Sequence, residues 1–540
     1  MKKKIVALLL AMVCTLSLVM TGCGGDDDGK VKSNIEVSAP NEFPIVEEKV
    51  ELTIFAPKST FIEDFETNEF TTYFEELTNV KIKWEIASGD PQQALNLKLA
   101  SGEYPDIFYD FSFTKEQQSL YAEQGVFQDI SGYIEEHGYY IKDMFESRPD
   151  IKEDITIDGG IYGLPKVEES PYAIYPNAMW VYKPWLDKLG LEVPTTTDEF
   201  YNMLVAFRDH DPNGNGKKDE IPLATRGVAG NSGIELFLMN SFLSVGNDRI
   251  SVIDDKVYFA ANKDEYREGL RYIKKLYDEK LLYNDSFIID RTQITSLGEN
   301  DTPILGAGTG LWAGMFTING AESGRIRDYV SIPPLKGPKG FSQSVEANTD
   351  FSSVKFVVTS ACKYPEVAVK WIDWIYNEEN RIIGHAKPGF RKANEGEIGI
   401  DGQQALWAQD PIPAGEAFGA IQNKGWTNFG VFYKPLETDL RTALNDEPSR
   451  VVAENRYEAY QQHGKVGKDV NFKPVSMSTD DATFVADYRT TINDLVDNAF
   501  AEFVTGVRSI DKDWDAYVKS LNDAGLKDYL KIMQKYVDKQ

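Results

Sequence analysis

The chain has 540 residues, 57 Lys and Arg against 85 Asp and Glu, a formal charge of −28, and 42% apolar and 12% aromatic residues. This composition excludes a disordered, collagenous or disulfide-scaffold protein, and the length allows about two to four domains, each with a sizeable core. The acidity repels phosphate backbones and anionic headgroups, so nucleic acid is not an expected partner.

Three lysines at positions 2–4 precede an uncharged apolar run from Ile5 to Met20, the pattern of an export signal and too short for a stop-transfer helix of about 20 residues. It closes on Met20-Thr21-Gly22-Cys23 and runs into Gly24-Gly25-Asp26-Asp27-Asp28. That junction resembles a bacterial lipobox. The resemblance implies cleavage after a 1–22 signal peptide, diacylglycerol and palmitate on Cys23, and a protein held by lipid alone on the outer face of the cell membrane. Cleavage removes three lysines and no acid, moving the charge from −28 to −31. Residues 23–48 hold few large apolar side chains and read as a flexible tether. Cys14 leaves with the signal and Cys23 takes lipid, so Cys362 has no disulfide partner.

The folded chain opens on Leu52-Thr-Ile-Phe-Ala56, a β-prone segment, then a helical stretch with Phe70, Phe74 and Leu77 on one face. Val80, Ile82, Trp84 and Ile86 alternate with polar residues as a strand, Pro91 opens a helix reaching Gly102, and Asp106–Phe111 is a further strand. Strands alternating with helices predict a parallel sheet with its ligand crevice beyond the carboxyl ends of the strands, where Asp110 and Phe111 are expected. A second block starts with the strand Ala178–Tyr182 and a helix from Trp185 capped by Gly190. Thr196 and Glu199 have capping-box spacing ahead of Phe200, Met203, Leu204 and Phe207. An amphipathic helix is predicted over Glu366–Arg381, and helix again from about residue 485, with Leu495, Ala499 and Phe503 on one face and a stop at Gly506.

Several passages in this order resemble the family 1 extracellular solute-binding proteins of ABC importers, especially the subgroup of alginate-oligosaccharide-binding proteins. They are Leu97-Lys-Leu-Ala-Ser-Gly-Glu-Tyr-Pro-Asp106, Tyr162-Gly-Leu-Pro165, Trp185-Leu-Asp-Lys-Leu-Gly-Leu-Glu-Val-Pro-Thr195, the loop Asp211–Glu220 and Tyr364-Pro-Glu-Val-Ala-Val-Lys-Trp371. The resemblance implies an α/β fold of the type II, large-cluster periplasmic-binding-protein kind, with two lobes, a hinge and an interlobe cleft. It further implies a monomer that captures an oligosaccharide and delivers it to membrane permease subunits. The expected division is 49–175 for the first part of the N-terminal lobe, 176–360 mainly for the C-terminal lobe, and 361–540 for helical segments completing both.

In Asp211-Pro-Asn-Gly-Asn-Gly-Lys-Lys-Asp-Glu220 oxygen-bearing side chains fall at positions 1, 3, 5 and 9, and Gly216 permits a sharp turn at 6. Pro222 stands where an EF-hand needs its bidentate acid, so a helix-loop-helix EF-hand is not expected, and a solvated Asx-rich turn is the alternative. Resemblance to the alginate-binding type implies one structural Ca²⁺ held by Asp211, Asn213, Asn215, the Lys217 carbonyl, Asp219 and Glu220.

Sugars offer apolar C–H faces and rings of hydroxyls, so their sites need aromatic platforms beside Asp, Asn, Arg and Gln. Trp84, Trp185, Trp371, Trp374 and Trp514 lie on regular apolar faces and read as core. Trp180, Trp312, Trp407 and Trp426 are the candidate platforms, with Asp110 as a hydroxyl acceptor and Phe111 beside it. Gly306, Gly308 and Gly310 ahead of Trp312 are expected to let a ligand approach the backbone.

No H-E-x-x-H, G-x-S-x-G or Walker loop occurs, and the four histidines are scattered, so no enzyme is expected. A surface-anchored glycoside hydrolase remains the alternative and would need two cleft carboxyls about 5–10 Å apart. A sugar-sensing receptor and a peptide ligand also remain open. The acidic surface disfavours polyanionic sugars unless a local Arg or Lys cluster overrules it.

Overall fold

The structure is a computed structural model that describes residues 35–539, apart from 231, 320, 348–350, 352, 386–388, 412–420 and 474–476. The architecture is that of Glu36–Gln540. The signal segment and Cys23 lie outside the described residues. Among the described residues no helix is long and apolar enough to cross a membrane.

The first lobe is built on β1 (Val50–Ala56), α1 (Glu69–Thr78), β2 (Val80–Ile86), α2 (Pro91–Ser101) and β3 (Ile107–Phe113). β1 pairs in parallel with β2 from Val50 opposite Val80 to Ala56 opposite Ile86, and with β3 through Ile54 and Phe55. The alternation in β2 buries Val80, Ile82 and Trp84 and leaves Lys81 and Lys83 in solvent. Helix α1 starts where the Asn68 side chain accepts from Phe70 N–H and stops at Asn79 in the left-handed region, burying Phe70 and Phe74. A fourth strand, Val354–Val358, runs antiparallel to β3 on the sheet edge. It comes from some 240 residues downstream, in a segment the sequence reading did not assign.

The second lobe centres on Ala178–Tyr182, flanked on both sides by antiparallel strands, Ala307–Gly310 and Tyr329–Ile332. Its helices carry the predicted signals. Gly190 caps at φ 65°, Thr196 and Glu199 exchange both capping-box hydrogen bonds, and Gly506 ends the helix Thr479–Thr505 at φ 85°.

The amphipathic helix predicted over Glu366–Arg381 is two helices, Pro365–Asp373 and Glu378–His385. Between them Asn377 is extended, and its side-chain oxygen accepts from Asn380 N–H, so a residue read as mid-helix starts a new helix. The tether read as 23–48 is folded over its last part. Ile45 and Val46 are buried, Val37 bridges Val46, and Lys370 Nζ donates to the carbonyl oxygens of Ser38 at 2.7 Å and Ala39 at 2.5 Å. Two buried apolar residues outweigh the polar composition around them.

The chain passes between the two sheets near residues 165–178, 332–354 and 434–447. These passages are tied by short parallel pairs, Val167–Glu168 with Tyr433–Lys434 and Ser344–Val345 with Gly467–Lys468.

Candidate functional site: a cavity between the lobes

A cavity of about 260 Å³ lies beside the passages that connect the lobes. Its lining comes from the first passage (Glu168, Tyr172), the helix Glu378–His385 (Arg381, His385), the second passage partner (Phe432, Lys434, Asp439) and the helix Glu447–Gly464 (Arg456, Tyr457). A second hollow of about 340 Å³, with Trp407, Arg391, Lys392 and Lys424 in its wall, shares Ile382 and Phe390 with the first.

Electrostatically the cavity wall is a set of pairs with two cations over. Lys434 Nζ sits 2.7 Å from Asp439 and 3.7 Å from Glu168, and Lys166 reaches Glu168 at 3.4 Å. Burial is the largest influence and would raise the Asp439 carboxyl, but Lys434, Ser170 and Arg456 together outweigh it and hold the group below the ordinary carboxylate range. Arg456 has its guanidinium carbon 5.1 Å from the Tyr172 ring and 4.8 Å from the Trp312 ring, a cation between two aromatic faces. Arg381 lies 5.7 Å over Phe432 and is 8% exposed. Burial, chiefly, lowers both guanidinium pKa values. His385 is buried with Nε2 2.9 Å from the Phe429 carbonyl, and burial pushes it down to about 3, so at neutral pH it is uncharged.

Of the platforms read from sequence, Trp312 is half-buried and reaches the cavity through Arg456, and Trp407 lines the second hollow. Trp180 is 1% exposed in the second lobe's central strand and donates its indole N–H to Gly310 O at 2.8 Å. Trp426 is 0% exposed and donates to Thr71 Oγ1 amid Phe70, Trp84 and Tyr109. Neither ring has a face left for a sugar, because each caps its own lobe's core. Strand β3 extends beyond the expected end, so Phe111 is a core residue stacked on Phe55 with centroids 5.2 Å apart. Asp110 sits inside β3 at φ 62°, beside a register shift, and meets Lys355 at 3.3 Å rather than standing at an open strand end. The small residues before Trp312 serve packing as well. A Cβ on Gly306 would fall 2.6 Å from Phe207 and 2.8 Å from Trp185, and one on Gly308 2.8 Å from Phe316.

Tyr172, Arg381, Arg456 and Asp439 carried no sequence signal. In the sequence reading Arg381 enters only as the end of a helix. What marks them is the absence or sharing of partners in space, which spacing along the chain does not record.

The loop Asp211–Glu220 is turned by left-handed residues at Asp211, Gly214 and Gly216. The Asp211 carboxylate accepts from Gly214, Asn215 and Gly216 N–H, and the Asn213 and Asn215 amides donate to Asp219. Among the described residues no three His, Cys, Asp or Glu side chains are gathered as metal ligands. Yet Glu220 Oε1 is buried without a hydrogen-bond partner, and the donor set is all oxygen and rich in carboxylate, the chemistry a hard dication takes.

Residues 55–382, more than half of the chain, match the family of bacterial extracellular solute-binding proteins. The fructooligosaccharide ABC transporter substrate-binding protein FusA of Streptococcus pneumoniae is 28% identical over 98% of this chain and 97% of its own. Its structure in complex with kestose superposes with a TM-score of 0.72 at 26% identity, covering 91% of this chain and 99% of that one, and its EF-hand mutant in complex with fructo-nystose with 0.71. Lipoprotein LipO of Bacillus subtilis is 26% identical over 48% of this chain and 50% of its own. A solute-binding protein of Bifidobacterium longum subsp. infantis shares the two-lobed fold with a TM-score of 0.75 at 23% identity, over 91% of this chain and 98% of that one. By its sequence match and by its two-lobed α/β architecture, this chain belongs to the bacterial extracellular solute-binding proteins.

Proposed function

We propose that this protein captures an oligosaccharide between its lobes and hands it to the permease of an ABC importer, without covalent chemistry. The observation that carries this reading is the interlobe cavity, whose wall combines aromatic faces at Tyr172, Phe432 and Tyr457 with hydrogen-bonding side chains at Lys434, Asp439 and Arg456. Similarity to FusA over nearly the whole of both chains supports it. Rings hold the apolar faces of a sugar and the charged forks take its hydroxyls in pairs. The cavity and its neighbouring hollow share a wall, so a ligand longer than one sugar ring can extend from one into the other. Only a closed arrangement buries ligand against both lobes, so ligand shifts the open–closed equilibrium towards closure, which the permease reads.

The chain is anchored through lipid on Cys23 and acts as a monomer on the outer face of the membrane, a reading supported by the lipobox and by the lipoprotein relative. One Ca²⁺ is held by Asp211, Asn213, Asn215, the Lys217 carbonyl, Asp219 and Glu220. It supplies charge that satisfies the buried Glu220 oxygen and pins the loop, whose end Ile221 bridges Leu305 just ahead of the second lobe's strand Ala307–Gly310.

Calorimetric titration with neutral and acidic oligosaccharides, followed by product analysis, tests the reading. Saturable binding with unchanged sugar is expected. One observation keeps a surface glycoside hydrolase as the second reading: Glu168 and Asp439 both touch Lys434, which brings two carboxylates together in the cavity wall. Cleaved sugar in the same titrations would establish that reading instead. Asp439, kept ionised by Lys434, Ser170 and Arg456, is poorly suited to donate the proton a hydrolase needs.

A further inference from the structure

The arginines of this acidic protein fall into two populations. Eleven of the sixteen have a carboxylate within 4.0 Å. The other five, Arg226, Arg291, Arg325, Arg381 and Arg456, have none among the described residues. Arg325 spends its guanidinium on the carbonyls of Gly298 and Asn300, Arg291 on Gly314 O, and Arg226 on Ser232 Oγ. Arg381 and Arg456 differ from these three. Neither guanidinium makes a hydrogen bond among the described residues, each has a buried Nε without a partner, and both line the same interlobe cavity.

They come from separate helices, Glu378–His385 and Glu447–Gly464, and each packs against aromatic faces, with Glu378, Asp439 and Glu168 acting on Arg381 and Asp439 on Arg456 only from beyond 4.0 Å. The acids of the wall are already engaged. Asp439 and Glu168 share Lys434, and Glu378, on Arg381's own helix, contacts Thr438. His385 adds no charge at neutral pH. Among the lining residues three cations, Arg381, Lys434 and Arg456, therefore face two anions, Glu168 and Asp439, in a chain whose overall charge is −28. Arg381 is buried and Arg456 half-buried, and a desolvated cation without a carboxylate within 4.0 Å is costly, while a protein with 85 acids has ample means to neutralise it. Two such cations left open on one cavity wall, pre-oriented by ring stacking, are an incomplete anion site.

We propose that the ligand is an anionic oligosaccharide whose carboxylate or sulfate group seats against Arg381 and Arg456. This deepens the oligosaccharide-receptor reading and rests on it. The local surplus of positive charge overrules the acidic exterior at short range, because surface charges beyond about 8–10 Å are screened at physiological salt while the cavity wall is not.

The test is calorimetric titration of the purified protein with uronate oligomers of several linkages, with sulfated oligosaccharides, and with neutral kestose-type and gluco-oligosaccharides. At least one acidic class is expected to bind tenfold or more tightly than every neutral sugar, with affinity falling as salt is raised. Which acidic arm binds distinguishes carboxylate from sulfate. Arg381→Met and Arg456→Met are expected each to shrink the acidic-over-neutral preference at least tenfold. Arg456→Lys, which keeps the charge, should restore part of it, with thermal unfolding reporting that each variant is folded. Neutral sugars binding as tightly as every acidic one, or variants that weaken both classes equally, would overturn the anionic site and leave the receptor reading standing. Failure of all the sugars to bind would overturn both.

Discussion

The aromatic cluster of the first lobe and the aromatic wall of the cleft use the same residue types for opposite purposes. In the lobe, Phe70, Phe74, Trp84, Trp371 and Trp426 meet ring to ring, with centroids 4.8–6.3 Å apart around Trp426, and close off every face. In the cleft, Tyr172, Trp312 and Phe432 meet guanidiniums instead, and the cations keep a polar edge towards the cavity. A tryptophan's role therefore depends on what covers its second face, apolar rings in one region and arginine in the other.

Four measurements can break that contrast or sharpen it. The largest effect is expected at Trp426→Ala, which opens a void in the ring cluster and orphans the Thr71 hydroxyl. It should cost about 3–5 kcal/mol of stability in denaturant titration. A loss below about 1 kcal/mol would mean that Trp426 is not the keystone of the first lobe's core.

The buried histidines come next. His385 in the cavity wall is pushed down to about 3 and His463, whose Nδ1 lies 2.7 Å from Ser344 Oγ, to about 4, both chiefly by burial. Because these folded values lie below the ordinary 6.5, the unfolded chain takes up protons first. Their stabilising contribution is complete above pH 6.5 and is lost as pH falls towards 4. Asp373, raised by burial to about 6, works the other way, favouring the folded state as pH falls through that value. Replacing His463 with Gln should therefore flatten the acid limb between pH 6 and 4.5 by about 1.4 kcal/mol per pH unit, read from denaturant midpoints across pH. An unchanged limb would place the imidazole in contact with solvent.

Calcium offers a third test, on a region that belongs to neither aromatic cluster. If the loop Asp211–Glu220 holds the ion, adding Ca²⁺ to chelator-treated protein at about 100 times its dissociation constant should stabilise it by about 2.7 kcal/mol. Glu220→Gln should shrink that gain, since its buried Oε1 has no protein donor among the described residues. An identical melting temperature with calcium and with chelator would return the loop to a solvated Asx turn.

What the chain's letters reveal about this fold is local. The alternation of Val80, Ile82 and Trp84, the capping box of Thr196 and Glu199 and the glycine stops at 190 and 506 all act within a few residues, and each is found where the sequence puts it. The edge strand Val354–Val358 pairs across the fold with β3, and the break at Asn377 depends on one side chain choosing a cap over a helix interior. The β-branched run Val354–Val358 does not reveal its distant partner, and the break at Asn377 leaves no periodic trace. The cavity is harder still to read. The loop residue Trp426 is core and the helical Arg456, which carries no sequence signal, lines the cavity, because burial and pairing are decided by distant segments. The loop Asp211–Glu220 concentrates its candidate ligands in ten consecutive positions, which is why a motif could propose it.

The smallest effect, and the most diagnostic for the cleft, is expected at Trp312→Ala. The Trp312 and Tyr172 rings both meet the Arg456 guanidinium, so removing Trp312 leaves the cation one of its two aromatic contacts but freer to swing. Stability should fall by only about 0.5–2 kcal/mol, the range of a cation–π contact. Sugar affinity should fall by about 1–3 kcal/mol, since an arginine that must be ordered at the moment of binding spends part of the interaction on its own immobilisation. The comparison to draw is with Trp426→Ala, which should damage stability far more than affinity once the protein is folded. If Trp312→Ala lost stability on the scale of Trp426→Ala while the remaining folded protein bound sugar normally, Trp312 would be a core residue like the others. The aromatic wall would then reduce to Tyr172 and Phe432.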